Sequence, residues 1–508
     1  MNRIVNSLVK TYAGIHHKRM HTFRTQPIKI QQQAFIKILS SIFDCEYGNK
    51  YGVKGSTSLE NFKNQVPIVE YEDFSPYIKR MMKGESHVLC AEKVGWFAKS
   101  SGTTGGKSKY IPVTNAFMKT CYTTSNWDVV GLLYNYKKDL KIFSSKNLIM
   151  GGTLERLEEY PEVIVGDVSA ILLENMPGFA KWCYTPDFDT ALMKDWDLKL
   201  ERMVEVCIQE KVVLFAGVPT WTLVLFNKII ERYGVESILD IWPDAMVYLH
   251  GGVGFDPYRD QFKRIFPRKD FIYAECYNAS EGYFAVQDDF HSDGMLLLLD
   301  NSIFYEFIHE SQLRAESPDL FGLEDIEEEE TYAMVITTSS GLWRYQLGDL
   351  VRFTSIFPFK IKVVGRTKQC INVFGEELMI HNTEEAISIA SKKMNAQIKE
   401  YTVAPVFMTD RNSGGHEWLI EFDQPPRDLA DFTKQLDIEL QNTNSDYEAK
   451  RYNDIAMQQL VVNALPTGTF ENWQRQHGKY GGQYKVPRLS NDRIFLEEIL
   501  SYKNVISV

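Results

Sequence analysis

The sequence is short of the features that would assign it to several large functional classes. No apolar run approaches the length of a bilayer-spanning helix. The N-terminus has neither the hydrophobic core nor the small-residue cleavage site of a secretory signal, so a cytoplasmic location is expected. The seven cysteines (Cys45, Cys90, Cys121, Cys183, Cys207, Cys276 and Cys370) are scattered, odd in number and free of any Cys-x-x-Cys pair. That excludes a disulfide framework and a structural zinc site, and predicts reduced, packed thiols. The ten histidines show no His-Glu-x-x-His spacing. Excess positive charge is missing too. The net charge is −11, with 44% hydrophobic and 24% charged residues, which gives no overall affinity for nucleic acid. Internal repeats, low-complexity tracts and a convincing Ser-His-Asp or Cys-His arrangement are likewise absent.

What remains is a chain of 508 residues, too long for one ordinary core and suited to one large domain with one or two smaller ones. Residues 1–43 carry Arg3, Lys10, Lys18, Arg19, Arg24 and Lys29 with no acidic residue before Asp44. Ile4, Val5, Leu8, Val9 and Tyr12, and then Phe35, Ile38, Leu39 and Ile42, fall at helical spacing. Amphipathic helices docked on the body are expected there, rather than a targeting segment. A helix from Tyr77 to Met82 comes next. Further on, short apolar runs at 146–152, 212–217, 245–252 and 271–277, several ending in glycine, alternate with helical stretches at 192–210 and 221–233. Apolar strand, glycine, helix is the pattern of an α/β protein with buried strands and ligand loops at their carboxyl ends. Met295–Leu299 and Ile303–Ile308 read as paired strands with Asp300-Asn301-Ser302 as their turn, and the acidic run 324–330 as a solvated loop. Near Gly365-Arg366 the pattern changes to that of a small α+β unit.

The most informative stretch is Lys99-Ser100-Ser101-Gly102-Thr103-Thr104-Gly105-Gly106-Lys107-Ser108-Lys109. Three glycines permit backbone geometry closed to other residues, hydroxyls and free amides supply donors, and three lysines supply charge. It reads as a phosphate cradle, with a solvent-exposed Gly/Ser hairpin as the rival reading. It is not a Walker A loop. That motif needs glycine where Ser101 stands, and it opens a helix, whereas Tyr110-Ile111-Pro112-Val113 is an extended segment. A cradle between two strands is how carboxylate-adenylating enzymes hold nucleotide, which points to adenylyl rather than phosphoryl transfer.

Three further segments carry chemistry. Cys276-Tyr277-Asn278-Ala279-Ser280-Glu281-Gly282-Tyr283-Phe284 ends an apolar strand with a carboxylate, and Glu281 there suits Mg²⁺, which takes one or two carboxylates plus phosphate oxygens. In Tyr345-Gln346-Leu347-Gly348-Asp349, an Asp after Gly at a turn suits two adjacent ribose hydroxyls. Gly251-Gly252-Val253-Gly254-Phe255 would let a flat base approach the backbone, with Gly252 central, although a turn opening a helix would read the same. Val218, Thr220, Trp221, Tyr283 and Phe284 are the candidates for an acyl pocket, in a setting where aromatics more often belong to a core.

These segments in this order, with Gly481-Gly482-Gln483-Tyr484-Lys485-Val486-Pro487-Arg488 and the early Val66-Pro67 and Tyr71-Glu72-Asp73, resemble over nearly the whole length the Gretchen Hagen family of acyl acid amido synthetases. This is the auxin-responsive branch of the adenylate-forming superfamily, here in a bacterial-like form. The resemblance implies a large N-terminal α/β domain of the adenylate-forming type, similar to luciferase and acyl-CoA synthetases, over residues 1–365. A small mobile α+β domain over 366–508 would rotate over the site between two steps. It implies ATP and Mg²⁺ as cofactors and a small carboxylic acid and an amine, such as an amino acid, as partners, with neither nucleic acid nor membrane, in a monomer or weak oligomer. Ser100, Ser101, Gly102, Thr103 and Thr104 would then hold the phosphates, with Ser101 and Thr104 catalytic. Tyr277, Ala279 and Ser280 would join the nucleotide site, Glu281 would hold the metal, Asp349 would bind ribose with Arg366 as helper, and Lys485 would meet the α-phosphate. Gln346 and Ala279 depart from the plant pattern, which separates this chain from plant substrate specificity. An acyl-CoA ligase and a nucleotide-binding protein without turnover are the alternatives.

Overall fold

The computed structural model describes residues 3–100, 109–252, 255, 258–313, 315, 317–367, 370–371, 376, 378–407, 414–444, 447–448, 451, 457–478, 485–490 and 492–506, with only the backbone for 3–7, 100, 179, 196–197, 220–221, 370 and 503–506. It divides into two compact units, one of residues 1–253 and 262–363, the other of 254–261 and 364–508. Among the described residues no helix is long and apolar enough to cross a membrane.

The basic N-terminal stretch forms two docked helices, Arg3–Thr25 and Pro27–Ile42, the second opened by a proline in its first turn, where the missing amide costs nothing. Their charges are spent on the body of the large unit. Arg19 pairs with Asp128 and Asp300, Arg24 lies 2.7 Å from Asp288, and His16 Nδ1 lies 2.7 Å from Asp128. Gln31 is buried and saturated: it donates to the carbonyls of Leu299 (2.6 Å) and Ile303 (3.0 Å) and accepts from the Tyr305 amide (3.0 Å). In the helix Thr124–Tyr136, a side chain at Gly131 would come 2.8 Å from the Ala13 carbonyl, so glycine there sets how closely the first helix packs.

The large unit is built on an eleven-stranded sheet, whose last strand in chain order runs on to Arg366, and a four-stranded sheet. In the large sheet the strands Tyr184–Thr185, Lys146–Ile149, Val212–Gly217, Val247–His250 and Ile272–Ala279 lie side by side and parallel. These are the continuous apolar runs, as expected of strands covered on both faces. The helix Trp196–Cys207 precedes the strand Val212–Gly217 and the helix Pro219–Tyr233 follows it, the latter ending on Gly234 in the left-handed conformation. Beyond Ala279 the sheet becomes antiparallel through Gly282–Val286, Met295–Leu297, Phe359–Arg366, Tyr345–Ile356, Thr331–Thr338 and Ile303–His309 in spatial order.

Here the sequence expectation needs correcting, because Met295–Leu297 and Ile303–His309 do not pair with each other. The first pairs with Gly282–Val286 and Phe359–Arg366 inside the sheet, and the second pairs with Thr331–Thr338 at its edge. Asp300-Asn301-Ser302 is a crossover: the Asn301 amide, fully buried, donates to the Tyr283 carbonyl. Both runs are buried on both faces, so neither shows the alternation that would have fixed a partner.

One buried ion pair fastens the start of the strand Tyr345–Ile356. Arg344 makes a two-pronged contact with Glu306 at 2.9 Å on each arm, and its remaining nitrogen donates to the carbonyls of Lys63 and Val66, both at 2.6 Å. Arg344→Met leaves the Glu306 carboxylate buried without its partner and is expected to cost about 3–5 kcal/mol in urea unfolding. A loss below about 1 kcal/mol would mean that Glu306 finds another partner.

The second unit holds a three-stranded sheet, Gln397–Val406, Gly415–Gln424 and Val461–Leu465, packed by the helices Ile380–Met394 and Leu429–Thr443. Its core includes a buried contact between His416 Nε2 and Glu376 at 2.9 Å.

Candidate active site

The strands flanking the stretch read as a phosphate cradle belong to the four-stranded sheet. Trp96–Ser100 and Lys109–Val113 pair antiparallel with Ser100 opposite Lys109, so the loop between them leaves and re-enters the sheet at one point. Ser101, Gly102, Thr103 and Thr104 lie outside the described residues, and Ser100 is described by its backbone at the strand end. Just inside the loop, Lys99 lies 2.7 Å from Glu155, and the Lys109 ammonium sits 5.6 Å from the centre of the Tyr71 ring. The two expected strands flanking the segment are present and pair with each other.

Ile272–Ala279 and Gly282–Val286 form a hairpin with Gly282 opposite Ala279, so Ser280 and Glu281 are its two-residue tip. Hairpin tips normally face water. This one is buried, with Glu281 only 7% exposed, and its backbone is held from outside the hairpin. Tyr122 Oη donates toward the carbonyls of Ala279 (3.1 Å) and Ser280 (2.9 Å). Tyr122 belongs to a π-helical turn, Met118–Thr123, a distortion that recurs at functional sites. The Glu281 carboxylate acts on three phenols. Burial first, and then charges including Glu281, push Tyr71 up to about 12 and raise Tyr122 and Tyr345 well above the ordinary tyrosine range. A carboxylate at a buried hairpin tip among three phenols is a candidate ligand group.

The third segment is shaped by a bulge. Along Tyr345–Ile356, Gln346 faces Val335 and Leu350 faces Ala333, so Leu347, Gly348 and Asp349 stand opposite Met334 alone. Gly348 has φ +87°, a conformation closed to most side chains, and the extra residues re-aim Asp349. Asp349 is 5% exposed and accepts a short hydrogen bond from Tyr277 Oη. Two segments 72 residues apart are thereby locked to each other. Gly251 comes directly after the strand Val247–His250, where a side chain would lie 2.3 Å from the Cys276 carbonyl, and Gly252 has φ +83°. The next described helix opens only at Arg259.

Among the described residues no three His, Cys, Asp or Glu side chains cluster as a metal cage. Mg²⁺ requires no such cage, since it retains water, takes phosphate oxygens and needs from a protein only one or two carboxylates. Glu281 fits that part, while Asp349 is engaged by Tyr277.

The acyl candidates fall in two places. Val218 is half-buried ahead of the helix Pro219–Tyr233, and its carbonyl accepts from the Thr222 hydroxyl at 2.9 Å; Thr220 and Trp221 lie in that helix's first turn. Tyr283 and Phe284 are buried in the second strand of the hairpin itself, with Phe284 4.8 Å from the Tyr277 ring.

Comparison with known proteins matches this arrangement to three family descriptions in chain order: the GH3 family N-terminal domain over residues 16–151 and 152–271, the central domain over 296–366, and the C-terminal domain over 381–494. The chain belongs to the GH3 family. Its relatives include the indole-3-acetic acid-amido synthetase GH3.3 of Arabidopsis thaliana, 25% identical, with 90% of this chain and 89% of that protein covered. The jasmonoyl-L-amino acid synthetase JAR6 of Nicotiana attenuata is 24% identical, with 91% and 90% covered. Among solved structures, that of the AtGH3.15 acyl acid amido synthetase in complex with 2,4-DB superimposes with a TM-score of 0.81 at 18% identity, covering 97% of this chain and 96% of that one. The fold is therefore the adenylate-forming α/β fold with a separate C-terminal domain.

In this GH3 chain Arg366 ends the strand Phe359–Arg366, and Lys485 is exposed in the second unit, with Gly481 to Tyr484 outside the described residues. The chain just beyond Lys485 is firmly anchored. Thr402 donates to the Pro487 carbonyl (2.6 Å), the Val403 amide to the Arg488 carbonyl (2.9 Å), and the Ser490 amide to the Val403 carbonyl (3.1 Å). Arg488 pairs with Glu400 and donates to Tyr258 Oη at 3.0 Å.

Sequence reasoning missed Tyr122, and it missed Lys199 with Asp167. Lys199 is fully buried, its ammonium donating to the carbonyls of Gly151 and Gly152 at the end of the strand Lys146–Ile149, and desolvation lowers it to about 8. Asp167, raised to about 6 chiefly by burial, accepts from the Thr153 amide at 2.7 Å. In the sequence Lys199 is one polar residue of an amphipathic helix, and only a tertiary contact distinguishes it.

Proposed function

We propose that this GH3 protein is an ATP-dependent acyl acid amido synthetase, a ligase that joins a carboxylic acid to an amine, an amino acid in particular, through an acyl-adenylate. The observation that carries the reading is convergence. Tyr277 on one segment holds Asp349 on another, and the Glu281 charge reaches Tyr71, whose hydroxyl holds the strand leaving the phosphate loop.

In the first step a carboxylate oxygen of the acid attacks the α-phosphorus of ATP and the bond to the β-phosphate bridging oxygen breaks. Pyrophosphate leaves and acyl-AMP remains. In the second, the amine attacks the acyl carbon, loses a proton and expels AMP. Ser100, Ser101, Gly102, Thr103 and Thr104 would hold the phosphates, Asp349 the ribose with Arg366 nearby in role, and Tyr277, Ala279, Ser280 and Gly252 the remainder of the nucleotide. Val218, Thr220 and Trp221 would face the acid. Bound Mg²⁺, held by Glu281, would neutralise phosphate charge. The protein's own work is to orient these groups before charge develops at phosphorus, so that they stabilise the transition state more than the ground state. Residues 1–365 would form the nucleotide- and acid-binding domain and 366–508 the domain bearing Lys485. We place this work in the cytoplasm, on small molecules rather than nucleic acid or membrane, by a monomer or weak oligomer. The six cysteines whose side chains are described are all free thiols, which agrees with a reducing setting.

The alternative, thioester formation from the same adenylate, shares the first step, and the amido synthetase names of the relatives favour an amide. The test is chromatography of nucleotide products over a panel of carboxylic acids, with amino acids and coenzyme A as rival acceptors. AMP with pyrophosphate and an amide is the expected outcome. ADP with any substrate set would overturn adenylation, and a thioester in place of an amide would select the alternative.

A further inference from the structure

The segment Val66-Pro67 to Asp73 supplies no ligand in the reading above, yet it runs from the strand that carries Asp349 to the strand Lys109–Val113, which follows the phosphate loop in sequence. Val69 makes a parallel bridge to Tyr345, its amide donating to the Arg344 carbonyl (3.1 Å) and its carbonyl accepting from the Gln346 amide (2.9 Å). Arg344 grips the same segment from below through the carbonyls of Lys63 and Val66. A capping box then ends the extended stretch: the side chains of Glu70 and Asp73 cap each other's backbone, with the Glu70 amide 3.0 Å from Asp73, and the helix Tyr71–Met82 begins. Tyr71 is thus the first helical residue of a doubly fastened segment, and its side chain has a defined direction.

That side chain meets the strand that leaves the phosphate loop. Lys109–Val113 is an edge strand, so every second amide points away from its only partner. Tyr71 Oη accepts one of these, the Tyr110 amide, at 2.8 Å, at the second residue after the loop. The Lys109 ammonium lies 5.6 Å from the centre of the Tyr71 ring, within cation–π range. A phenol that accepts one hydrogen bond still has its own proton to donate. Burial, followed by the charges of Tyr110, Glu72 and Glu281, keeps that proton in place at neutral pH.

We infer that Tyr71 is a positioning residue of the adenylation site, its hydroxyl fixing the exit strand of the phosphate loop relative to the strand that carries Asp349. This inference rests on the nucleotide reading given above. Register between those two parts matters only to a ligand that spans them, which a triphosphate does and AMP does not.

Tyr71→Phe removes the hydroxyl and keeps the ring, its packing and the Lys109 contact. The experiment combines calorimetry with α,β-methylene-ATP and with AMP, both with Mg²⁺, the pyrophosphate-release rate, and amide exchange of the peptide covering 109–113. Tyr71→Phe should bind α,β-methylene-ATP about tenfold more weakly, release pyrophosphate at least about tenfold more slowly, and exchange faster over 109–113, the size expected for one lost hydrogen bond. AMP affinity and melting temperature should stay near wild type. The inference is overturned if Tyr71→Phe binds α,β-methylene-ATP as tightly as wild type, or if AMP affinity and melting temperature fall together with it, which would make Tyr71 a general structural residue. Failure of the nucleotide reading looks different: wild-type protein would bind neither nucleotide.

Discussion

Glu281→Ala is expected to lower metal-dependent pyrophosphate release by about a hundredfold or more, the scale seen when one preorganised transition-state group is removed, while the fold survives. Survival is a consequence of how the tip is built. Ser280 and Glu281 are held by strand pairing on both sides and by Tyr122 on the Ala279 and Ser280 carbonyls, and none of these contacts uses the Glu281 carboxylate. The carboxylate lies where its charge adds to what raises Tyr71, Tyr122 and Tyr345. A cation that arrives with the nucleotide is the ligand proposed for it. A magnesium titration should show Glu281→Ala saturating only at higher metal concentration or not at all, with Glu281→Gln nearly as impaired, since the amide keeps the shape and loses the charge. Wild-type rates in Glu281→Ala with an unchanged magnesium requirement would remove Glu281 from the metal site.

Much of this site was legible because its parts are backbone-driven. Glycine at 251, 252 and 348 answers to close approach or positive φ, and an apolar run ending in glycine marks a strand end whatever it packs against. The parallel strands were legible for the same reason: full burial leaves a continuous apolar run. That property hid the pairing of Met295–Leu297 and Ile303–His309, because a strand buried on both faces carries no alternation to choose a neighbour. The helix expected to start near Tyr77 begins at Tyr71, since the Glu70–Asp73 capping box outweighs Pro76 within it. Long-range contacts left the least trace. Nothing in the sequence joins Tyr277 to Asp349, or Lys199 to Gly151, because each contact is made between elements far apart in the chain.

Lys485→Ala is expected to lower the adenylation rate by about a hundredfold to a thousandfold, again the scale of one transition-state group, with little change in AMP affinity. The residues assigned to ribose and base, Asp349, Tyr277 and Gly252, belong to the first unit, whereas Lys485 belongs to the second. Lys485 is exposed, but the chain immediately after it is pinned through Thr402, Val403 and Arg488, so an anchored backbone carries a solvent-facing residue. A charge that acts on the α-phosphate as phosphorus turns pentavalent lowers kcat and kcat/KM together, and a ground-state ligand would mainly raise KM. Lys485→Arg separates charge from geometry. The guanidinium keeps the positive charge on a wider, planar head, so partial activity there would assign the effect to charge and full loss to fit. Supplying chemically prepared acyl-adenylate provides the internal control, because Lys485→Ala should then form amide at close to the wild-type rate, the impaired step having been bypassed. If calorimetry instead finds AMP affinity collapsing along with the rate, Lys485 holds the nucleotide in the ground state and has no special role as charge develops at phosphorus.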